Sequence, residues 1–310
     1  MARHTKQQGH LALFAANVIF GLNTPITRSI IPDILDPFVM TFLRMIGAAV
    51  LLWIASLFVK KETVPKKDIL LFFFAAVFAI VLNQGSFIFG LSKTSPIDAS
   101  LVITLLPIVT MLLAAIILKE PITWLKAVGV LVGASGALIL ILSSTQNSGS
   151  GNFIGNLFIL FSVFSFGLYL TLFKNLIVRY SPLTAMKWMF LFAAILTYPM
   201  SHKALITTNF ASFDTSVFLR IGYVVVLATF LTYLLIPIGQ KTLLPTTVSM
   251  YNYLQPIVSS FVAIIIGMDS FGWDKMISTI LVFVGVYIVT QSKSRVQLYK
   301  EKISQKKLVK

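Results

Sequence analysis

Long apolar runs, separated by short polar breaks, cover almost the whole of this sequence. A helix that crosses a bilayer needs about 20 mostly apolar residues, and the runs have roughly that length. The pattern predicts transmembrane helices over residues 10–30, 37–59, 69–90, 97–118, 124–142, 154–173, 182–201, 216–238, 246–267 and 273–291. We therefore predict an all-α membrane protein of ten transmembrane helices, and no soluble domain fits between them.

A stretch of the first half recurs in the second half with a constant offset of 149 residues. The first copy carries Gly90, Pro96, Pro107, Glu120, Trp124, Lys126 and Gly136, and the second carries Gly239, Pro245, Pro256, Asp269, Trp273, Lys275 and Gly285. Apolar composition alone does not place two prolines, a Trp-x-Lys pair and flanking glycines in one register. We interpret the two stretches as copies of one duplicated unit.

Each half of the sequence contains five predicted helices, with Phe20-Gly21 of the first helix recurring as Phe166-Gly167 in the sixth. Because five is odd, the second copy enters the membrane inverted relative to the first. An inverted repeat has a pseudo-two-fold axis in the membrane plane, as many secondary transporters do. The predicted organisation is a five-helix repeat over 1–142, a Gly/Ser-rich linker over 143–153, a second repeat over 154–291 and a basic tail over 292–310.

Composition and charge agree with a membrane protein. Hydrophobic residues make up 57% of the chain and charged residues only 11%, against about 25% charged residues in soluble domains. The net charge of +15 lies at helix ends and in the tail, a pattern that the positive-inside rule explains without a nucleic-acid partner. The same rule places both termini in the cytoplasm and the chain in the cell (inner) membrane.

The sequence offers little for enzyme chemistry. There is no cysteine, and His4, His10 and His202 are predicted in terminal or loop positions, so neither a zinc motif nor a Ser–His pair can be assembled inside the membrane. Gly149-Ser150-Gly151 lies in the polar linker and not at a strand-to-helix turn, which excludes a phosphate-binding loop. We predict a protein that is not an enzyme and that uses no metal or cofactor.

The pattern around the fourth helix resembles the drug/metabolite transporter superfamily, and within it the ten-helix EamA branch. The residues that carry the resemblance are Gly90, Leu91, Pro96, Ala99, Ser100, Leu101, Leu105, Pro107 and Thr110, followed by Glu120 and Trp124. Asn23 after Phe20-Gly21 and Arg44 in the second helix also look like this family, whereas Asp269 stands where a Glu is usual. The resemblance spans essentially the whole chain, and it implies outward transport of amino acids, sugars, nucleosides, drugs or other metabolites.

Polar side chains inside the predicted helices are the first candidates for a binding site, because a polar group in hydrocarbon is costly unless it is paired. With the offset of 149, Asn83-Gln84 correspond to Thr232-Tyr233, so both halves are polar at the same level. We predict a central cavity lined by Asn23, Asn83, Gln84, Tyr169, Thr232, Tyr233, Tyr251, Asn252 and Gln255.

Two charged residues are candidates for a gate or for ion coupling. Arg44 lies roughly 10 Å inside the second helix, and Asp98 lies near the outer mouth of the fourth. Arg44 could extend to the outer headgroups and Asp98 could cap its own helix. Alternatively, the two pair as an outer gate or a protonation point, with protons as the coupling ion.

Two prolines predict kinks near the middle of the membrane. Pro107 and Pro256 have no N–H to donate to the carbonyls of residues 103 and 252. The neighbouring helices could compensate for each kink; alternatively, Pro107 and Pro256 are hinges beside the cavity.

The predicted function is that of a secondary transporter that exports small metabolites, such as amino acids or related compounds, by alternating access. Its partners would be a small-molecule substrate and the lipid bilayer. An importer or facilitator of nucleosides or sugars remains an alternative. An intramembrane lipid-modifying enzyme or a membrane sensor is a remote one, opposed by the missing His and Cys constellation and the missing soluble domain.

Overall fold

The computed structural model of the chain describes residues 5–94, 99, 102–143, 153–265 and 272–292, and these residues form helices and connecting turns without any strand. The main helices are α1 (Lys6–Arg28), α2 (Pro37–Ser56), α3 (Lys66–Lys93), α4 (Leu106–Ile117), α5 (Trp124–Ser143), α6 (Phe153–Leu172), α7 (Pro182–Thr207), α8 (Thr215–Thr242), α9 (Leu254–Ile265) and α10 (Trp273–Thr290). Short segments are the helices Lys174–Arg179 and Pro245–Met250 and the 3-10 turns Phe210–Ser212 and Tyr251–Tyr253.

Helices α1, α2, α3, α6, α7 and α8 are long and apolar enough to cross a bilayer, and α4, α5 and α10 contain shorter apolar helices. Their outer surfaces are apolar as well: Trp124 and Trp273, at equivalent ends of α5 and α10, are 81% and 72% exposed. Tryptophan in such positions is typical of the membrane–water boundary. The chain therefore has the structure of a multi-pass α-helical membrane protein, and the count of ten crossings stays a prediction.

Helices at equivalent positions in the two halves pack in equivalent ways. Helix α1 crosses α8 where Gly9 faces Gly239, and α6 crosses α3 where Gly155 faces Gly90. Gly9 and Gly155 are 146 residues apart and Gly90 and Gly239 are 149 apart, so the two crossings correspond. The remaining large contacts join α2 to α7 and α5 to α10, and each of these pairs joins equivalent helices.

Helices α3 and α8 each contain a π-helical stretch at the same place. The stretches are Val77–Leu82 and Tyr223–Leu231, and their last residues are 149 positions apart. Each stretch ends directly before a polar pair, which begins at Asn83 in α3 and at Thr232 in α8. π-Helical turns are rare and concentrate at functional sites, and apolar periodicity gave no sign of them.

The predicted fourth and ninth helices are both interrupted just before their central proline. A turn precedes α4, which starts at Leu106, and the 3-10 turn Tyr251–Tyr253 precedes α9, which starts at Leu254. Pro107 and Pro256 therefore lie in the first turn of a helix, where a missing N–H disturbs the backbone least. Whether they act as hinges stays a prediction.

One end of the bundle, here called the Lys6 end, collects loops that the charge pattern places in the cytoplasm. Asp68 forms an ion pair with Arg179 at 3.1 Å. Glu62 accepts hydrogen bonds from the backbone amide of Ser181 at 3.0 Å and from the Ser181 hydroxyl at 2.8 Å. Burial acts to raise the pKa of Glu62, but hydrogen bonds from Thr184 and Ser181 outweigh it and the pKa is lowered. These contacts fasten the start of α3 to the start of α7.

A buried ion pair at the same end joins the two halves. Lys126 Nζ lies 3.1 Å from Glu120, whose other oxygen is 4.0 Å from Lys174 Nζ. Lys174 also donates to the carbonyl of Leu243 at 3.2 Å. Burial lowers the pKa of Lys174, while the charge of Glu120 opposes that shift.

Several predicted features lie outside the described residues. They are Pro96 and Asp98 before α4, residues 144–152 of the predicted linker, Asp269 before α10, and the basic tail from residue 293 onward.

Gly285→Ala is expected to destabilise the bundle. A Cβ at Gly285 would lie 2.5 Å from the backbone nitrogen of Gly133 and 2.7 Å from the carbonyl oxygen of Gly129, so α5 and α10 would have to separate. Overpacking of this kind costs about 1–3 kcal/mol, and the thermal unfolding midpoint in detergent should fall. The matched control is Gly222→Ala, where a Cβ meets no atom within 4 Å and the midpoint should stay the same or rise slightly. Equal midpoints for both variants would contradict the close helix contact.

Candidate functional site

A cavity of about 80 Å³ lies inside the bundle, between helices of both halves. The predicted residues that line it are Asn23, Arg44, Asn83, Gln84, Tyr233, Asn252 and Gln255. Phe20, Phe87 and Phe166 add apolar walls. A few convergent polar groups on apolar walls are typical of small-molecule sites, although such sites usually measure about 300–1,000 Å³. The cavity in this structure is therefore smaller than a typical small-molecule site.

Gln84 and Tyr233, which occupy equivalent positions of the two halves, bind each other in this cavity. Gln84 Nε2 donates a hydrogen bond to the Tyr233 hydroxyl at 2.8 Å, across a sequence separation of 149 residues. In a two-fold arrangement, equivalent groups can meet only where the axis passes between them. The bond thus has the position expected for the axis of the predicted repeat. Phe20 and Phe190 pack edge-on against the Tyr233 ring and hold it in place.

Asn83 ties α3 to α6 beside this bond. Its Nδ2 donates to the carbonyl of Ser162 at 3.0 Å and to the Ser162 hydroxyl at 2.9 Å. Its Oδ1 accepts a hydrogen bond from Gln84 Nε2 at 3.0 Å. Asn83 therefore fixes the amide of Gln84 as well as the spacing of the two helices.

A second amide cluster joins α1 to α9. Gln255 Nε2 donates to Asn17 Oδ1 at 2.9 Å and to Asn252 Oδ1 at 2.8 Å. Asn252 lies in the 3-10 turn before α9 and donates to the carbonyl of Ser249 at 3.0 Å. The interrupted helix therefore turns the amide of Asn252 toward the cavity.

Arg44 does not extend to the membrane surface; its side chain is buried in the bundle and is only 1% exposed. Arg44 Nε donates to the Thr229 hydroxyl at 2.9 Å, and that hydroxyl donates to the carbonyl of Val224 at 2.7 Å. Thr229 and Val224 both belong to the π-helical stretch of α8. Neither Nη1 nor Nη2 of Arg44 has a hydrogen-bond partner among the described residues. The predicted partner Asp98 lies outside the described part of the chain.

Three predicted cavity residues have other surroundings. The Tyr169 hydroxyl donates to Gln240 Oε1 at 3.0 Å between α6 and α8. The Thr232 hydroxyl donates to the carbonyl of Ala228 at 2.8 Å and so faces its own helix. Tyr251 OH lies 2.7 Å from His10 Nδ1, closer to the Lys6 end than the cavity is.

The prediction that all histidines lie in terminal or loop positions was wrong. His10 lies in α1 and His202 lies in α7. A short polar N-terminus made the start of α1 look like a tail, but Thr5 caps the helix through reciprocal bonds with Gln8. The placement matters for His10, because its ring contacts Tyr251 inside the bundle.

A second space of about 340 Å³ opens at the Lys6 end. We call it the basic vestibule, because its lining includes Lys6, His10, Lys174 and Lys241 and no carboxylate among the described residues. His10 lines this vestibule, and its partner Tyr251 directly precedes Asn252, which lines the central cavity, so the His10–Tyr251 bond links the surroundings of the two spaces.

Sequence reasoning missed Asn17 and Ser162, although both are polar residues within apolar runs. The rule that singled out Asn83 applies to them equally. Gln240 was missed because it lies near a helix end, where a polar residue is ordinary.

Comparison with known proteins gives one family. A family model described as the EamA-like transporter family matches residues 7–142 and 153–291 of the chain. A solved crystal structure superposes with a TM-score of 0.76 over 93% of this chain and 98% of its own chain, at 16% identity. A likeness at that identity establishes a shared fold alone.

Three curated relatives are similar in sequence. The chain is 31% identical to a WAT1-related protein of Arabidopsis thaliana over 142 residues, which are 43% of this chain and 38% of that protein. It is 24% identical over 235 residues to an uncharacterized transporter of Archaeoglobus fulgidus, covering 76% of this chain and 80% of the relative. It is 25% identical over 205 residues to the uncharacterized transporter YcxC of Bacillus subtilis, covering 64% and 65%. The matched stretch thus spans well under half of the plant protein and just under two thirds of the Bacillus protein.

Single cysteines are expected to react with a small thiol reagent at Asn252 and Gln255 and not at Thr232 or Tyr169. The first two side chains line the cavity and are partly accessible, whereas the other two are buried in helix contacts. The chain has no natural cysteine, so each variant gives one clean labelling rate. Equal labelling at all four positions would show that the cavity does not have this lining.

Proposed function

We propose that this chain, which belongs to the EamA-like transporter family, is a secondary transporter that exports small polar or amphipathic metabolites by alternating access. Membership confirms the family predicted from the fourth-helix pattern. Two of its curated relatives are named transporters, and on this basis the chain is a membrane transporter and not an enzyme. Substrate class, direction and mechanism are the parts that we propose.

The observation that carries the proposal is the polar cavity at the contact between equivalent positions. Gln84 and Tyr233 meet there, and Asn83 and Gln255 extend the polar lining on both sides. Two inverted copies of one unit can exchange conformations, which opens a central site first to one side and then to the other. A site for the cargo belongs at the axis, because only the axis stays central in both conformations.

Alternating access also needs elements that can rearrange at equivalent places. The π-helical stretches of α3 and α8 and the interrupted helices before Pro107 and Pro256 are such elements. We propose that the bonds between His10 and Tyr251 and between Tyr169 and Gln240 close the Lys6 end of the pathway. Asp98 and Arg44 remain our candidates for the outer gate and for coupling to protons.

Amino acids or related compounds are the first candidates for cargo, because amide and hydroxyl groups beside aromatic walls suit molecules with one polar and one apolar end. Nucleosides or sugars, moved by an importer or facilitator, are the second candidates. Sequence reasoning found no phosphate-binding loop, so we propose that gradients or exchange drive the transport.

Reconstituted protein is expected to exchange labelled amino acids in counterflow. Purified protein would be placed in liposomes loaded with unlabelled compound, and uptake of label would be followed without an energy source. Protein-free liposomes give the background rate. Labelled nucleosides and sugars form the second arm, and flux in that arm alone would favour the alternative cargo. Folded protein that exchanges none of these compounds would contradict the proposed function.

Gln84→Leu is expected to lower the exchange rate about tenfold or more, because it removes the bond at the axis and leaves the Tyr233 hydroxyl without a donor. The matched control is Ser212→Ala, an exposed residue in the turn after α7, which should exchange at the normal rate. Both variants must elute as folded protein in gel filtration. A normal rate for Gln84→Leu would show that the cargo does not use this part of the cavity.

Both termini are expected in the cytoplasm of the cell that carries this protein in its inner membrane. A green fluorescent protein fused after Lys310 should fluoresce, and alkaline phosphatase fused at the same place should stay inactive. A reporter fused in the loop between α7 and α8, which lies at the opposite end, should give the reverse result. Active phosphatase at the C-terminus would overturn this orientation.

A further inference from the structure

We propose that Arg44 binds the carboxylate group of the cargo, so that the transported compounds are small organic carboxylates. The inference rests on the proposed transport function, because it names the chemical group that the central cavity recognises. It goes beyond a gating role for Arg44, since it makes this side chain part of the binding site.

The first reason is that no residue in the described part of the chain compensates the charge of Arg44. A guanidinium has five N–H donors, and here only Nε is used, in the bond to Thr229. Nη1 and Nη2 have no partner in the described part of the chain, although the side chain is 1% exposed. A buried charge is costly unless a counter-charge and hydrogen bonds satisfy it. A side chain held in this state inside a cavity is prepared for an anionic ligand.

The second reason is that the described residues offer no carboxylate to Arg44. Their ion pairs involve Asp68 and Glu120, and both acids lie at the Lys6 end of the bundle. The groups around Arg44 in the cavity are amides, hydroxyls and aromatic rings. None of them carries a negative charge at neutral pH, so the described part of the chain supplies no compensating anion and the ligand is the candidate for it.

The third reason concerns the kind of anion. A guanidinium presents two parallel N–H donors that match the two oxygens of a carboxylate, and the free Nη1 and Nη2 can supply them. Among the described residues of the cavity lining, Arg44 alone is charged at neutral pH. One positive charge balances a monoanion, whereas a phosphate dianion would leave one negative charge buried without compensation.

The charge also breaks the symmetry of the site. Helices α2 and α7 begin in the same way, with Asp36-Pro37 and Ser181-Pro182 at their N-termini. Counting from those starts, Arg44 corresponds to Met189, which is a buried apolar residue. One half thus supplies a positive group and the other supplies none. A ligand with a single anionic end fits this arrangement, with Asn252 and Gln255 left for a second polar group.

The basic vestibule agrees with an anionic cargo. Its lining holds Lys6, Lys174 and Lys241 and no described carboxylate; Glu120, outside the lining, lies 4.0 Å from Lys174, and Glu62 acts electrostatically on Lys241. A cleft lined by one sign of charge raises the local concentration of ligands of the opposite sign. The His10–Tyr251 contact links a vestibule residue to the chain neighbour of Asn252 in the cavity lining, so the vestibule is our candidate entrance for an exported anion.

The test compares matched acids and amides on wild-type protein and on Arg44→Gln. The probes are 3-methylbutanoate with 3-methylbutanamide, L-leucine with L-leucinamide, and a panel of further small hydroxy, keto and amino acids with their amides. Binding is measured as the rise in thermal midpoint of purified protein, and transport as counterflow in liposomes. Arg220→Gln, which removes a partly exposed arginine at the end opposite to Lys6, is the matched control.

We expect acids of the panel to raise the midpoint of wild-type protein and of Arg220→Gln, and their amides to do so far less. Arg44→Gln should lose at least about tenfold in apparent affinity for the acids and should bind the amides as wild-type protein does. Without ligand its midpoint should be equal or higher, because an unpaired buried charge has been removed. Arg44→Lys keeps the positive charge but lacks the two parallel N–H donors of a guanidinium. Its apparent affinity for the acids should lie between those of wild-type protein and Arg44→Gln.

Four outcomes would overturn the inference while leaving transport intact. One is a panel in which no acid stabilises wild-type protein more than its amide does. Another is stabilisation by chloride alone with no preference for acids. The third is flux of neutral nucleosides or sugars that Arg44→Gln does not change. The last is an equal loss of acid and amide flux in Arg44→Gln, which would make Arg44 a gate residue. Folded protein that exchanges no compound at all would instead contradict the proposed function.

Discussion

The hydrogen bond between Gln84 and Tyr233 lies where the two halves of the chain meet, and the polar cavity is built around it. Water is scarce at this depth in a membrane, so each polar group needs a partner in the protein. Asn83 supplies one by binding both Gln84 and Ser162. The bond therefore joins α3 to α8, and through Asn83 it also fixes α6.

Departures from regular α-helix lie next to the polar residues of the central cavity. The π-helical stretches end directly before the pairs that begin at Asn83 and Thr232. A 3-10 turn before α9 directs Asn252 into the cavity. Irregular backbone is tolerated at membrane depth where it lines a cavity or is covered by protein. Residues in or directly after the irregular stretches, such as Asn83 and Asn252, thus line the polar cavity.

The scaffold is similar in both halves, whereas the chemistry of the cavity is not. Gly9 and Gly155 support equivalent helix crossings, and α5 and α10 touch through glycines. At the site itself, Gln84 stands opposite Tyr233, and Arg44 corresponds to the apolar Met189. Packing residues can stay alike because they make equivalent helix contacts in both halves. Under the proposed transport function, residues that contact the cargo would differ between the halves, because a small molecule has no two-fold symmetry of its own.

The sequence by itself determined the helical membrane fold, the register of 149 residues and most of the polar side chains that line the cavity. Run length, repeat spacing and isolated polar residues are local features that each helix carries alone. Only the tertiary structure decided that Tyr169 binds Gln240, that Thr232 faces its own helix and that Arg44 keeps two donors free. Those outcomes depend on which face of a helix meets which neighbour. A π-helical stretch rotates the faces that follow it, so ordinary helical periodicity cannot predict them.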